Sequence, residues 1–179
     1  MILRKWLILF VLLFPGLSFA EYGEELIGIW AMEPVFFTGK NVSNVTVYNV
    51  DGSYEMYGFI CASGEKVERN TDSNSSGVWS LEGHTIVLTV SDSDELRELE
   101  EKATKLRSDM SSMSDNEKLM MRSVLGEQIM DFVEGGELKV KEDILSIDSG
   151  IMKSKQKINA LREVEITSHK VDAVKPICN

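Results

Sequence analysis

The stretch DGSYEMYGFIC, residues 51–61, decides the fold. Asp51-Gly52 supplies a hairpin turn, and the side chains then alternate, Tyr54, Met56, Gly58 and Ile60 on one face, Glu55, Tyr57, Phe59 and Cys61 on the other. A strand with one wet face shows polar residues on that face. This one is apolar on most of both. It therefore belongs inside a sheet, or in a barrel wall whose inner face meets the interior and whose outer face is covered.

Outward from this strand the period of two continues. Val45 and Val47 alternate with polar neighbours before it. After it Ser63-Gly64 reads as a turn, 66–69 as a polar strand at most, and NTDSNSSG (70–77) as a loop by composition. Glu82-Gly83 marks a second hairpin, with Ile86, Leu88 and Val90 on one side of its returning strand. The period then changes. Asp92-Ser93-Asp94-Glu95 forms a capping box, and Leu96, Leu99, Ala103, Leu106, Met110 and Met113 follow at helical spacing. Ser114-Asp115-Asn116-Glu117 opens a second helix, with Met120, Met121, Val124, Leu125, Ile129, Phe132 and Val133 on its apolar stripe and Gly135-Gly136 as its stop. The pattern predicts a two-helix hairpin inserted over 92–134. Three or four further strands follow, separated at Glu142-Asp143, at 148–150 and at Asn159-Ala160. The reading is a mainly β fold of eight to ten strands, barrel or sandwich, around one helical excursion.

Residues 1–20, MILRKWLILFVLLFPGLSFA, have the form of a cleaved export signal: bases at Arg4 and Lys5, an apolar run, a Pro15-Gly16 break and a small residue at both Ser18 and Ala20. The remainder, 21–179, suits one domain, and nothing in it approaches the length of a membrane span. The signal holds two of the 19 bases and none of the 29 acids, so the exported chain has a formal charge of −12. Nucleic acid and anionic lipid head groups are thereby disfavoured as partners, because both require clustered bases. In an oxidising compartment the two cysteines, Cys61 and Cys178, are most simply one disulfide, and the expected location is the periplasm or the extracellular space.

Catalytic patterns are sparse. Asp72 to Gly77 begins like a calcium loop, but its twelfth position is Gly83 where a bidentate Glu is needed, so it reads as a solvated turn. His84 and His169 have no second ligand at metal spacing, and no nucleophile elbow, phosphate loop or paired carboxylate stands out. The expectation is a non-catalytic protein without metal or cofactor. The inserted helices carry Met110, Met113, Met120, Met121 and Met130, side chains that adapt to variable partners. That stripe suits a lid, a partner-binding surface or packing on the protein's own sheet.

Gly28-Ile29-Trp30 at the head of the first strand, Asp51-Gly52-Ser53-Tyr54 at a hairpin, and Gly77-Val78-Trp79 followed by Glu82-Gly83-His84-Thr85-Ile86-Val87-Leu88 together resemble the lipocalin-like domains of exported bacterial proteins. The resemblance implies an up-and-down antiparallel β-barrel with Trp30 across its closed end and Arg162 as the late-strand cation stacked on that ring. It also implies a disulfide pinning the C-terminal tail to a mid-barrel strand. The function it implies is binding. Tyr54, Met56, Ile60, Trp79, Ile86 and Leu88 are the interior candidates for contact with a small apolar ligand, and they serve equally as a solid core. The alternative is an interaction module that engages an envelope or secreted protein through the five methionines.

Overall fold

The computed structural model describes residues 22–37, 39–62, 67–125, 127–159 and 162–178. Residues 1–20, read as an export signal, the turn expected at Ser63-Gly64, Ala160 and the Arg162 side chain lie outside the described residues.

In chain order the elements are α1 (Gly23–Leu26), β1 (Gly28–Met32), β2 (Val35–Phe37), β3 (Lys40–Tyr48), β4 (Ser53–Cys61), β5 (Val67–Glu82), β6 (Thr85–Ser93), α2 (Asp94–Met110), α3 (Asp115–Leu125), α4 (Glu127–Gly135), β7 (Leu138–Asp148), β8 (Ile151–Asn159) and β9 (Arg162–Val171). Strands β3 to β9 lie side by side in sequence order, and β1 pairs with both β9 and β3. Eight antiparallel strands thus close a barrel, with β2 as a short addition on β3.

β4 confirms the two-faced reading. Tyr54 and Met56 pack inward with Leu26, Trp30, Tyr48, Ile86, Leu88, Ile144 and Met152. Tyr57 and Phe59 pack outward with Ile29, Ala31, Val45, Val171 and Ile177. The outer cover is the C-terminal tail, joined to β4 by the Cys61–Cys178 disulfide, whose Cα atoms are 5.4 Å apart. Closing 117 positions restricts the unfolded chain by up to about 5 kcal/mol.

Three expectations need correction. Residues 70–77 belong to β5, which runs from Val67 to Glu82. The small polar side chains there supply hydrogen bonds where the ladder slips: Asn74 Oδ1 accepts from the Gly58 amide at 3.3 Å, and Asn70 Nδ2 donates to Ser73 Oγ at 2.6 Å. Glu142-Asp143 is no separator, because β7 continues through both to Asp148 and bulges only between Ile144 and Ser146. The second inserted helix is two, α3 and α4, on either side of Gly126. The second capping box forms, with Glu117 Oε2 accepting from the Ser114 amide at 2.7 Å and Ser114 Oγ accepting from the Glu117 amide at 3.4 Å; at α2 Ser93 is a simple N-cap, its Oγ accepting from the Leu96 amide at 2.9 Å.

The insertion leaves from β6 and returns to β7, neighbours in the wall. Val90 and Leu138 are register partners that share the inward face of Leu88 and Val140, yet they pack with Leu96, Ala103, Met110, Met130, Phe132 and Val133. The helical core therefore takes over the inner face of this ribbon where the barrel core stops. Arg107 ties α2 to α4 by donating to the carbonyls of Val133 (2.5 Å) and Phe132 (3.4 Å). Arg122 ties α3 to α4 through Asp131 (2.9 Å) and Glu134 (2.7 Å).

Candidate functional site

Of the six interior candidates, the structure gathers five. Tyr54, Ile86 and Leu88 are buried, Met56 and Trp79 half-buried, all in one cluster; Ile60, toward the far end of β4, does not join it. Trp79 meets Tyr48 edge-on at 5.5 Å and donates Nε1 to the Asn49 carbonyl at 3.0 Å. These contacts are those of a packed core.

Trp30 is 2 % exposed and donates Nε1 to the Leu26 carbonyl at 2.7 Å, which fastens β1 to α1. The cation above its ring is Lys170, with Nζ 5.5 Å from the centroid and also donating to the Glu25 carbonyl at 2.9 Å. Lys170 is the register partner of Trp30, whereas Arg162 opens β9 eight positions earlier, opposite Asn159. Gly28 explains the local sequence. It sits at φ +132°, and a Cβ there would lie 2.9 Å from Lys170 Cε.

A buried polar layer was not foreseen. Glu142 points inward from β7 and accepts a hydrogen bond from Ser154 Oγ on β8. Burial raises its carboxyl above the ordinary range, and the Ser154 bond offsets part of that. Tyr48 is raised well above its ordinary value by burial and then by the charges of Glu142 and Tyr54. Tyr54 Oη and Ser75 Oγ are buried close together, and neither makes a hydrogen bond of good geometry. The signal for Glu142 lies in phase: Leu138, Val140 and Glu142 occupy alternate, like-facing positions.

The five methionines divide. Met110 and Met130 are buried in the helical core, Met113 and Met121 are half-buried beside it, and Met120 is 71 % exposed. The division follows the helices, since α3 has no buried residue and also exposes Leu119 and Val124. Both α2 and α3 pack on α4, and their own backbones stay apart. Between them runs an open groove of about 640 Å³, lined by Leu106, Met113, Met120, Met121, Val124 and Leu125 and edged by Lys102, Lys105, Asp109 and Glu117. Leu106, Val124 and Leu125 thus join the methionine set.

His169 Nε2 lies 2.7 Å from Glu33 Oε1 at the surface, and the His84 ring meets Tyr22 at a tilt of 56° with centroids 5.6 Å apart. Among the described residues, no three His, Cys, Asp or Glu side chains are grouped to hold a metal ion. No described helix is long and apolar enough to cross a membrane. No protein-family model matches the chain, and no curated protein matches it in sequence. The fold and its surfaces define the class: a closed eight-stranded antiparallel barrel bearing a three-helix insertion.

Proposed function

We propose that this is an exported, non-catalytic binding protein that receives an apolar helical segment of another polypeptide between α2 and α3, with the barrel as rigid scaffold. One observation carries the reading: an open apolar groove lies in the helical insertion, whereas most of the interior candidates are occupied in packing. A groove between two helices suits an amphipathic helix, whose apolar anchors recur every three or four residues. Exposed apolar patches of this kind mark interaction sites. The disulfide accords with an oxidising compartment.

A photo-crosslinking side chain at position 120, introduced in the cells that produce the protein, tests this. The control is the same group at Leu145, an apolar residue 51 % exposed on β7. Protein adducts at 120 and not at 145 are expected; equal yields would refute the reading. A small apolar ligand in the barrel is the second reading, supported by barrel closure. Displacement of a fluorescent lipid from purified protein tests it.

A further inference from the structure

We infer that the polypeptide received by the groove is the α2–α3 pair of a second copy of this chain, in an antiparallel, two-fold contact. The inference rests on the groove reading above and names its occupant. What the groove lacks is a helix with exposed apolar side chains, and the molecule carries one in the groove's own wall, where Met120 and Val124 line it. Leu119, Met120 and Val124 of α3 are 67, 71 and 79 % exposed. A two-fold contact covers groove and stripe in both copies at once, which is how isologous interfaces work.

Charge selects the same arrangement. Lys102, Lys105 and Asp109 follow one another along α2, and α3 begins at Asp115 after four intervening residues, which places Glu117 toward the Asp109 end. The groove thus has a basic end and an acidic end, about 10 Å apart along the helix axis. An antiparallel copy sets each basic end against an acidic one; a parallel copy sets like against like. Lys102 already pairs with Glu98, and Glu117 caps Ser114, so Lys105 and Asp109 are the charges left to pair across the contact. With two bases and two acids the rim is neutral in a chain of net charge −10, so copies meet there without the repulsion they would feel elsewhere. Because α3 is only 11 residues long, the interface falls at the small end of the size range, where contacts are weak.

Sedimentation velocity on the disulfide-linked chain from residue 21, over micromolar to submillimolar concentrations, reads the outcome. The wild type should pass from monomer to dimer. Val124→Glu should stay monomeric at every concentration, with an unchanged circular-dichroism spectrum. Lys105→Glu and Asp109→Lys should each dimerise at least about tenfold more weakly, a loss of roughly 1.4 kcal/mol, and an equal mixture of the two should recover the wild-type constant. Recovery on mixing is specific to the antiparallel contact. A wild type that remains monomeric, a dimer that survives Val124→Glu, or a mixture no tighter than its parts overturns the inference. So does a monomer that instead sediments with phosphatidylglycerol vesicles. Crosslinks from position 120 to a different protein, with no product of twice the chain mass, would leave the groove reading standing and remove only the second copy.

Discussion

Replacing Phe132 by Ala and, separately, Val124 by Ala tests whether the insertion is part of the protein's core or an appendage to it. Phe132 is 1 % exposed among Met130, Val133 and Leu138. Truncating a buried Phe costs about 3–5 kcal/mol, and the better helix propensity of Ala returns about 0.5 kcal/mol. A net loss of roughly 3–4 kcal/mol should lower Tm by about 6–16 °C in a chain of this size. Val124 is 79 % exposed, so its truncation removes little burial, gains propensity and should fall within about 0.5 kcal/mol of wild type. The molecule offers two probes for urea titration. Trp30 and Trp79, the tryptophans remaining after residue 20, both lie in the barrel core, whereas far-ultraviolet ellipticity follows the helices. Because Val90 and Leu138 belong to barrel strands and helical core together, both probes should report one transition, displaced equally by Phe132→Ala. If the helical signal moves and tryptophan fluorescence does not, the two cores are uncoupled and the reasoning fails. Equal losses from the two substitutions would refute the division between covered and open helix faces.

Removing the disulfide with Cys61→Ala and Cys178→Ala should cost up to about 5 kcal/mol, read as a urea-midpoint shift; a loss under about 1 kcal/mol would show that the tail holds by packing alone. Glu142 has a folded-state carboxyl raised by burial, so the fold favours its protonated form; that contribution is full below the ordinary glutamate range and is lost as pH rises through the raised value. Glu142→Gln should therefore raise Tm at neutral pH, with the advantage shrinking toward pH 4, and a benefit independent of pH would contradict the assignment. Gly77→Ala should destabilise by roughly 1–3 kcal/mol or prevent folding, because a Cβ there would sit 2.0 Å from the Thr89 carbonyl oxygen. Gly135→Ala, with open space around its Cβ, should be neutral or stabilising by up to about 1 kcal/mol in the same thermal melt.

Much of the barrel was legible because its strands obey local rules. Tyr54 to Cys61 shows both faces at once, Gly52 at φ +82° and Gly150 at φ +77° mark real hairpin turns, and the helix caps sit where Ser93 and Ser114 stand. Composition misled where neighbours decide. Asn70 to Gly77 resembles a loop, but its two ends are held in the wall: Asn70 pairs with Gly58 of β4, and Ser75 to Gly77 pair with both β4 and β6, while the register slips across the residues between. Glu142 reads as turn chemistry until its phase with Val140 is followed, and its burial depends on strands far away in sequence. The helical stripe shows a different limit. Periodicity reveals that one side of a helix is apolar, not whether anything covers it, so Met130 and Met120 look alike in sequence and end at opposite extremes of exposure. The two Gly-x-Trp stretches were likewise alike only in letters. Gly28 yields to a lysine at a positive φ, while Gly77 yields to a neighbouring backbone.

The C-terminal tail, lastly, bears on the order of events in folding. Ile177 lies over residues of β1, β3, β4 and β9, so the tail crosses the line where the first strand meets the last before Cys178 reaches β4. β1 cannot peel outward without lifting a covalently fastened strap. In the folded chain the bond spans the closure of the barrel, so it holds the circuit shut once the strands have paired. Thiol titration during refolding of the reduced chain would follow that bond directly.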